Sequence, residues 1–415
     1  MEPRAKALLT SLFDTAITAA DPLQALANHL PQPPTRGRTV VIGAGKGAAQ
    51  MAAALEQLWP TPLSGCVVTR YGFGAPTRQI KVLQAAHPVP DAAGLAATTA
   101  LFDQIKDLTP HDLVIALVCG GGSALLAAPA AGLTLKDEQT LNEALLACGA
   151  PISAMNAIRK MFSRVKGGRL AAATQARMVS LVVSDVPRDD PAEVASGPTV
   201  PSWSNRATAR AALEQHKITL PAHLLHHLQT APEPPVPSDP VFANHEVHVI
   251  ASAAQSLAAA ARVGATRGWP VEILGDDLEG EARRLGAAHA AYAKASMAPR
   301  LILSGGETTV TLTGQGRGGR NSEYLLAFAL GIDGAPQINA LAADTDGIDG
   351  SEDNAGAFAT GQTAALIRAA GTDPLKALAD NDAYTAFAAA QALFTPGPTG
   401  TNVNDFRAIL IGWPP

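Results

Sequence analysis

The sequence predicts an α/β protein of two domains, each a largely parallel, Rossmann-like sheet covered by helices, and three observations carry that prediction. First, short apolar runs recur at residues 39–42, 66–69, 82–85, 113–118 and 179–183. They are unbroken rather than alternating, as strands covered on both faces are. Second, each run leads into a glycine-rich turn and an alanine-rich helical stretch, the alternation produced by right-handed crossovers. Third, the pattern stops at Pro232-Glu-Pro-Pro-Val-Pro-Ser-Asp-Pro240, with five prolines in nine residues, and then restarts. Prolines at that density exclude a helix or a central strand.

Taken in chain order, residues 5–30 read as one or two amphipathic helices closed by Pro31-Gln-Pro33-Pro34. The five runs above follow. Beyond the proline segment come strand-like runs at 247–251, 271–274, 301–304, 310–313, 338–342 and 408–411. The expected division is therefore an N-terminal α/β domain over residues 1–236 and a C-terminal one over 241–415. Chemistry is expected at strand C-termini and in the cleft between the two domains.

Composition narrows the function. A chain of 415 residues, 47 % hydrophobic and 16 % charged, has ample material for packed cores and is not disordered. Lys and Arg number 31 against 36 Asp and Glu, a formal charge of −5 without a basic block, so nucleic acid is not the expected partner. Cys66, Cys119 and Cys148 form no CxxC pair, and the first two lie in apolar runs as buried thiols. The N-terminal residues lack an apolar signal core, and no apolar run reaches the ~20 residues that span a bilayer. The expectation is a soluble cytoplasmic protein without membrane partners.

Four glycine turns carry the chemistry. Gly43-Ala-Gly45-Lys46-Gly47-Ala48 joins a strand to a helix, where free amides attract anions and Lys46 adds charge. It lacks the P-loop spacing but satisfies G-x-G-x-x-G/A. The acid expected about 20 residues further on is replaced by Arg70 at the next strand's end, which suits NADP better than NAD. Gly120-Gly121-Gly122-Ser123 repeats the arrangement after the fourth run, and Ser304-Gly305-Gly306-Glu307 follows a strand of the second half. Arg317-Gly318-Gly319-Arg320-Asn321 opens a helix, two bidentate donors among glycines that let backbone approach a phosphate. Arg159 and Lys166 are further cations facing a ligand or solvent. His87, in His87-Pro-Val-Pro-Asp91, is a substrate ligand or a structural histidine.

Carboxylates complete the set. Asp185, Asp189 and Asp190 follow one buried run, and Asp344, Asp346 and Asp349 follow another. Strand-end carboxylates can hold Mg²⁺ or accept a hydroxyl proton, although helix capping can absorb one or two of them. Four anion loops with two acid clusters suit phosphoryl transfer from a nucleotide better than hydride transfer, and point to a Mg²⁺-dependent kinase. The alternative is an NAD(P)H-dependent enzyme built on Gly43-Ala-Gly45 and Arg70.

The ordered series Gly-Ala-Gly-Lys46, His87-Pro-Val-Pro-Asp, Cys119-Gly-Gly-Gly-Ser, Lys166-Gly-Gly-Arg-Leu-Ala, Ser184-Asp-Val, Ser196-Gly-Pro-Thr, Ser304-Gly-Gly-Glu, Gly318-Gly-Arg-Asn-Ser-Glu, Thr345-Asp-Gly-Ile-Asp-Gly and Thr401-Asn-Val-Asn-Asp resembles the type-2 glycerate kinase family with its C-terminal MOFRL domain. The resemblance spans nearly the whole chain. It implies transfer of the ATP γ-phosphate to (R)-glycerate, giving 2-phosphoglycerate, with Mg²⁺ or another divalent cation and an active site between two α/β domains. It also implies catalytic roles for Lys46, Asp185 and Arg320, and it narrows the NAD(P)H-dependent alternative to a hydroxypyruvate reductase. Gly43, Gly45, His87, Gly120, Gly121, Gly122, Ser123, Arg159, Lys166, Ser304, Gly305, Gly306, Glu307, Gly318, Gly319, Asn321 and Asn404 are the expected glycerate or ATP contacts. Asp190, Asp344 and Asp346 are the expected metal ligands, with Asp190 the second choice for the essential acid. Oligomeric state is left open, a homodimer being allowed. The chain departs from the family pattern at Met161-Phe162-Ser163, where many relatives read His-Leu-Ser.

Overall fold

The computed structural model describes residues 1–296 and 298–412. Contacts divide the chain into two compact units, one of residues 22–250 and one formed by residues 1–21 with the chain from Ala251 onward.

The first unit contains β1 (Thr39–Ala44), β2 (Leu63–Arg70), β3 (Ile80–Ala85), β4 (Leu113–Cys119), β5 (Arg177–Val183) and β6 (His245–Ala251) in a six-stranded sheet. The order is β3-β2-β1-β4-β5-β6, and β1 pairs in parallel with both β2 and β4, as do β2 with β3 and β4 with β5. Every residue of β1 and β4 is buried, the physical meaning of their unbroken apolar runs. Ile42, Val68, Leu101, Val118 and Val182 meet in its core. Helices begin where a side chain can satisfy their first amides. Asp91 accepts from the Gly94 amide at 2.9 Å, and Thr134 and Asp137 form a reciprocal capping box. Cys66 and Cys119 are buried free thiols, and burial pushes them up to about 11 and about 12.

Two segments fall on the other side of the expected boundary. The proline segment does not separate the sheets, because the chain returns from it to add β6 to the first. Proline forbids regular structure but not an excursion within one unit. Helix Pro3–Ala19 groups with the second unit, burying Leu8, Leu9, Leu12 and Phe13 against Leu257, Leu301, Phe406 and Leu410. Phe13 meets Phe394 edge-on at 5.0 Å. Amphipathic spacing says that such a helix has an apolar face, not which sheet covers it.

The second unit adds β7 (Val271–Gly275), β8 (Gly280–Glu281), β9 (Arg300–Ser304), β10 (Thr308–Thr309), β11 (Ile338–Asp344), β12 (Gly356–Thr360), β13 (Leu393–Phe394) and β14 (Asp405–Ile411). Six form a sheet in the order β13-β12-β11-β14-β9-β7, while β8 and β10 pair separately. The α/β class holds, but the largely parallel sheet expected here does not. Among the described residues of the six-stranded sheet only β7 and β9 run parallel, while β9–β14, β14–β11, β11–β12 and β12–β13 are antiparallel; the separate β8–β10 pair is parallel. Complete burial of β11 and β14 gives each an unbroken apolar run whatever its direction. The strand expected at 310–313 is also absent. The Thr311 and Thr313 amides donate to Glu281 Oε1 (3.1 Å) and Asn381 Oδ1 (2.8 Å) instead of to a ladder. No helix among the described residues is long and apolar enough to cross a membrane.

Candidate active site

In the first unit the sheet order reverses beside β1 and β4, the place where an open α/β sheet leaves a crevice at its strand ends. The Gly43–Gly47 and Gly120–Ser123 turns leave those two strands side by side, and the Lys46 amide donates to the Gly120 carbonyl at 2.8 Å. Gly45, at φ 140°, lies where a Cβ would fall 2.3 Å from Cys119 Sγ, so only glycine permits this approach. Gly121 has φ 78°. A Cβ on it would sit 2.9 Å from Lys46 Cγ and 3.2 Å from His87 Nε2, and one on Gly120 would lie 1.9 Å from Asp185 Oδ2. Lys46, His87 and Asp185, carried past the ends of β1, β3 and β5, therefore converge on the bare backbone after β4. Burial, with Lys46 and Arg70 adding to it, pushes His87 down to about 4 and leaves the ring neutral at pH 7.

Beneath this loop runs a polar chain that the sequence reading did not assign to the site. Ser123 Oγ and Ser196 Oγ lie 2.8 Å apart, and Ser196 donates to Asn156 Oδ1 at 2.8 Å. Asn156 Nδ2 donates to the Glu193 carbonyl (3.0 Å) and carboxylate (2.8 Å), and Glu193 pairs with the fully buried Lys160 at 2.9 Å. Ala195, Ser196 and Gly197 all have φ between 53° and 61°, a left-handed turn that costs L-residues energy and is retained here against Ser123. Only positive-φ geometry marks it, and that is invisible in sequence.

Arg159 lines a crevice with Ser123, Glu138, Asn142, Phe162 and Lys166. The expected ligand role of Lys166 meets a competing partner, because its ammonium is buried on Glu138 Oε1 (3.0 Å) and the Leu126 carbonyl (3.1 Å). Asp190 is exposed and closes a turn by accepting from the Ala192 amide at 3.0 Å, whereas Asp185 touches the glycine loop.

The second unit builds a charged cluster around Arg320, the first residue of helix Arg320–Gly331. Its guanidinium donates to Asp405 Oδ1 (2.6 Å), Asp344 Oδ2 (2.6 Å) and Glu307 Oε1 (2.9 Å). Asp405 also accepts from Asn321 Nδ2 at 2.8 Å and pairs with the buried Arg407, which in turn donates to the Gly305 carbonyl at 2.9 Å. Gly306 is needed at φ 113°, where a Cβ would come within 2.2 Å of the Leu278 amide. Ser304 ends β9 and Gly305 follows it, donating to the Gly275 carbonyl at 2.8 Å. The Arg317–Arg320 pair expected to clasp a phosphate is thus divided among acids: Arg317 lies over the Tyr384 ring (4.6 Å) and donates to Glu352 at 3.3 Å.

Antiparallel pairing explains this cluster. Asp405 opens β14 directly opposite Asp344, which closes β11, and Arg407 sits opposite Ser304 at the end of β9. A reading that searched only strand ends found Asp344 and passed over Asp405 and Arg407. Burial drives the Asp344 carboxyl well above the usual range, with Asp346 and Asp405 adding to that and Arg320 opposing it. Asp405 is buried too, but Arg407 and Arg320 outweigh burial and hold it below the usual range. Asp349 is a helix cap, taking the Asn321 amide at 2.9 Å and the Ser322 amide at 2.7 Å, and its carboxylate occupies the place of a Gly319 side chain. Gly318 precedes it at φ 152°. Asn404, at φ 65°, presents its carbonyl to Thr345 as the chain turns into β14.

Asp344 and Asp346 are hard oxygen donors joined by an Asp346 amide to Asp344 Oδ1 bond of 3.1 Å. They suit Mg²⁺, which needs only one or two carboxylates beside phosphate oxygens. Among the described residues no group of three or more His, Cys, Asp or Glu stands ready to hold a metal by itself.

Comparison with known proteins gives a consistent picture. Residues 8–229 match a family described as a domain of unknown function (DUF4147), and residues 300–405 match the MOFRL family. A Thermotoga maritima protein named D-glycerate 2-kinase is 36 % identical over 417 residues, covering 98 % of each chain. An Agrobacterium vitis protein bearing a provisional hydroxypyruvate reductase name is 47 % identical over 98 % of this chain and 95 % of its own. The crystal structure of the Thermotoga maritima glycerate kinase matches with a TM-score of 0.88 at 34 % identity, covering 99 % of this chain and 100 % of that one.

Proposed function

The chain belongs to the glycerate 2-kinase family, DUF4147 followed by MOFRL, and is a kinase of that class; from that premise we propose that it transfers the γ-phosphoryl group of ATP to the 2-hydroxyl of (R)-glycerate, releasing ADP and 2-phosphoglycerate. The observation that carries this reading is the convergence of Lys46, His87 and Asp185 on the Gly120–Gly121 backbone. Phosphoryl transfer asks a protein for positioning and for charge placed where it develops. The Gly120–Ser123 loop amides and the Lys46 ammonium hold the phosphate oxygens. Asp185 accepts the proton of the attacking hydroxyl, and neutral His87 orients it.

Within the second unit, Arg320 is the cation proposed for a phosphate oxygen of the nucleotide. Its carboxylate partners differ in readiness to release it: Asp405 and Asp344 are buried, whereas the Glu307 side chain is 56 % exposed. Glu307 is therefore the partner that a phosphate oxygen displaces. Asp344 and Asp346 are the carboxylates that would hold a divalent cation, which would supply charge neutralisation for the phosphates when bound.

A hydroxypyruvate reductase reading draws support from the name of the Agrobacterium relative and the Gly43-Ala-Gly45 turn. Against its NADH-dependent form, β2 ends in Arg70, stacked 3.5 Å from the Phe73 ring, rather than in a ribose-binding acid. Phosphorus NMR on protein, ATP, Mg²⁺ and (R)-glycerate decides between them. The expected product is 2-phosphoglycerate. No phosphoryl transfer, with NADPH oxidised by hydroxypyruvate, would replace the kinase by the reductase.

A further inference from the structure

The crevice beside Ser123 holds an imbalance of charge. Its two cations, Arg159 and Lys166, share one carboxylate, Glu138, and that carboxylate lies on the Lys166 ammonium at 3.0 Å. The neighbouring Lys160–Glu193 pair is neutral in itself. Among the described residues Arg159 donates to neutral oxygens: its NH1 to Asn156 Oδ1 at 3.2 Å and its NH2 to Asn142 Oδ1 at 3.1 Å. Burial lowers the Arg159 pKa, opposed by Cys148 and Glu138. A partly buried guanidinium held by amides, with no carboxylate of its own, awaits an anionic ligand.

The surroundings hold that guanidinium in place. Asn156 commits its Nδ2 to Glu193 twice, so its Oδ1 faces both Arg159 and Ser196. Asn142 is fixed from the other side by donating to the Pro88 carbonyl at 3.1 Å, in the turn that follows His87. Arg159 and the Ser123 hydroxyl thus line one crevice, next to the loop on which Lys46, His87 and Asp185 converge.

We propose that Arg159 is the counter-ion for the carboxylate of a short 2-hydroxy or 2-oxo acid, fixing which end of the substrate faces the phosphoryl-transfer loop. This deepens the functional reading above and rests on it for the identity of the acid. Arg159 is then the residue that separates a hydroxy acid from a neutral polyol of the same length.

The test is calorimetric binding of (R)-glycerate and of its neutral amide, glyceramide, to the wild-type protein, to Arg159→Gln and to Asn142→Asp. Wild type should prefer glycerate, and Arg159→Gln should lose roughly 10- to 100-fold in glycerate affinity, as expected for a charge-assisted bidentate contact. Glyceramide affinity should change less than about 3-fold. Asn142→Asp keeps Arg159 but places a carboxylate on its NH2, so it should weaken glycerate binding in a chain with no cavity or lost cation to unfold it. Equal losses for acid and amide, or unchanged glycerate affinity in both variants, would overturn the assignment while leaving phosphoryl transfer standing. Failure of the wild type to bind glycerate at all would overturn it together with the functional reading.

Discussion

Replacing Gly120 with alanine moves the Asp185 carboxylate without changing its chemistry. An ideal Cβ at position 120 lies 1.9 Å from Asp185 Oδ2 and 2.4 Å from its Cγ. To reach ordinary contact the carboxylate must withdraw by roughly 1.5 Å. Gly120 is not among the residues with positive φ, so alanine adds no backbone strain. Misplacing a reacting group by about 1 Å costs on the order of 10²-fold in rate. Gly120→Ala should therefore lower kcat for ADP release with (R)-glycerate by about 10²-fold, while stability changes by less than about 1 kcal/mol. Gly47→Ala is the matched control in the partner loop. Its Cβ would meet only Cys119 Sγ at 3.7 Å, an ordinary contact, so turnover should persist. Steady-state kinetics beside circular-dichroism melting separates the two effects. Wild-type kcat/KM in a folded Gly120→Ala protein would remove Asp185 from the reacting geometry.

Three further outcomes follow from the same geometry. Lys46→Ala should lose at least about 10²-fold in kcat with its melting temperature unchanged, since its side chain lies against the bare Gly121 backbone; a parallel fall in stability would mark the lysine as structural. Arg320→Ala should lose both, kcat by roughly two powers of ten and stability by about 2–4 kcal/mol, the latter discounted from a fully buried pair because the side chain is 23 % exposed; an unshifted urea midpoint would refute the cluster's structural role. His87 stays neutral in the fold down to about 4 while the unfolded chain protonates it near 6.5. Stability is then fully present above 6.5 and falls as pH drops through the window from 6.5 to about 4, and His87→Asn should flatten that slope by on the order of 1 kcal/mol after allowance for partial exposure. Because His289 is also pushed down to about 4 by burial, the difference between variant and wild type is the quantity to read, and superimposable pH profiles would discard the assignment.

Much of the site was legible because it is local. A strand that must be buried on both faces reads as an apolar run, and a turn that must admit a neighbouring chain reads as glycine. Those two requirements placed Gly43–Lys46, Gly120–Ser123 and Asp185 at strand ends, and β1, β2, β4 and β5 carry them there. Charge partnership is different. Arg320 finds Asp405 across 85 positions, Lys166 finds Glu138 across 28, and Lys160 finds Glu193 across 33. An isolated basic residue in sequence cannot show whether an acid already holds it.

Direction was the second thing hidden. Burial writes the same pattern for parallel and antiparallel strands, so the second sheet's sense, and with it the position of Asp405 and Arg407 beside Asp344 and Ser304, came only from the fold. The attachment of helix Pro3–Ala19 to that sheet, and of β6 to the first, was likewise beyond any local signal. Sequence alone determined which segments are buried and where backbone lies bare for an anion, because both are properties of a few consecutive residues. Tertiary structure decided which charges are paired with an acid and which, like Arg159, donate to neutral amide oxygens, because Coulomb energy depends on distance in space.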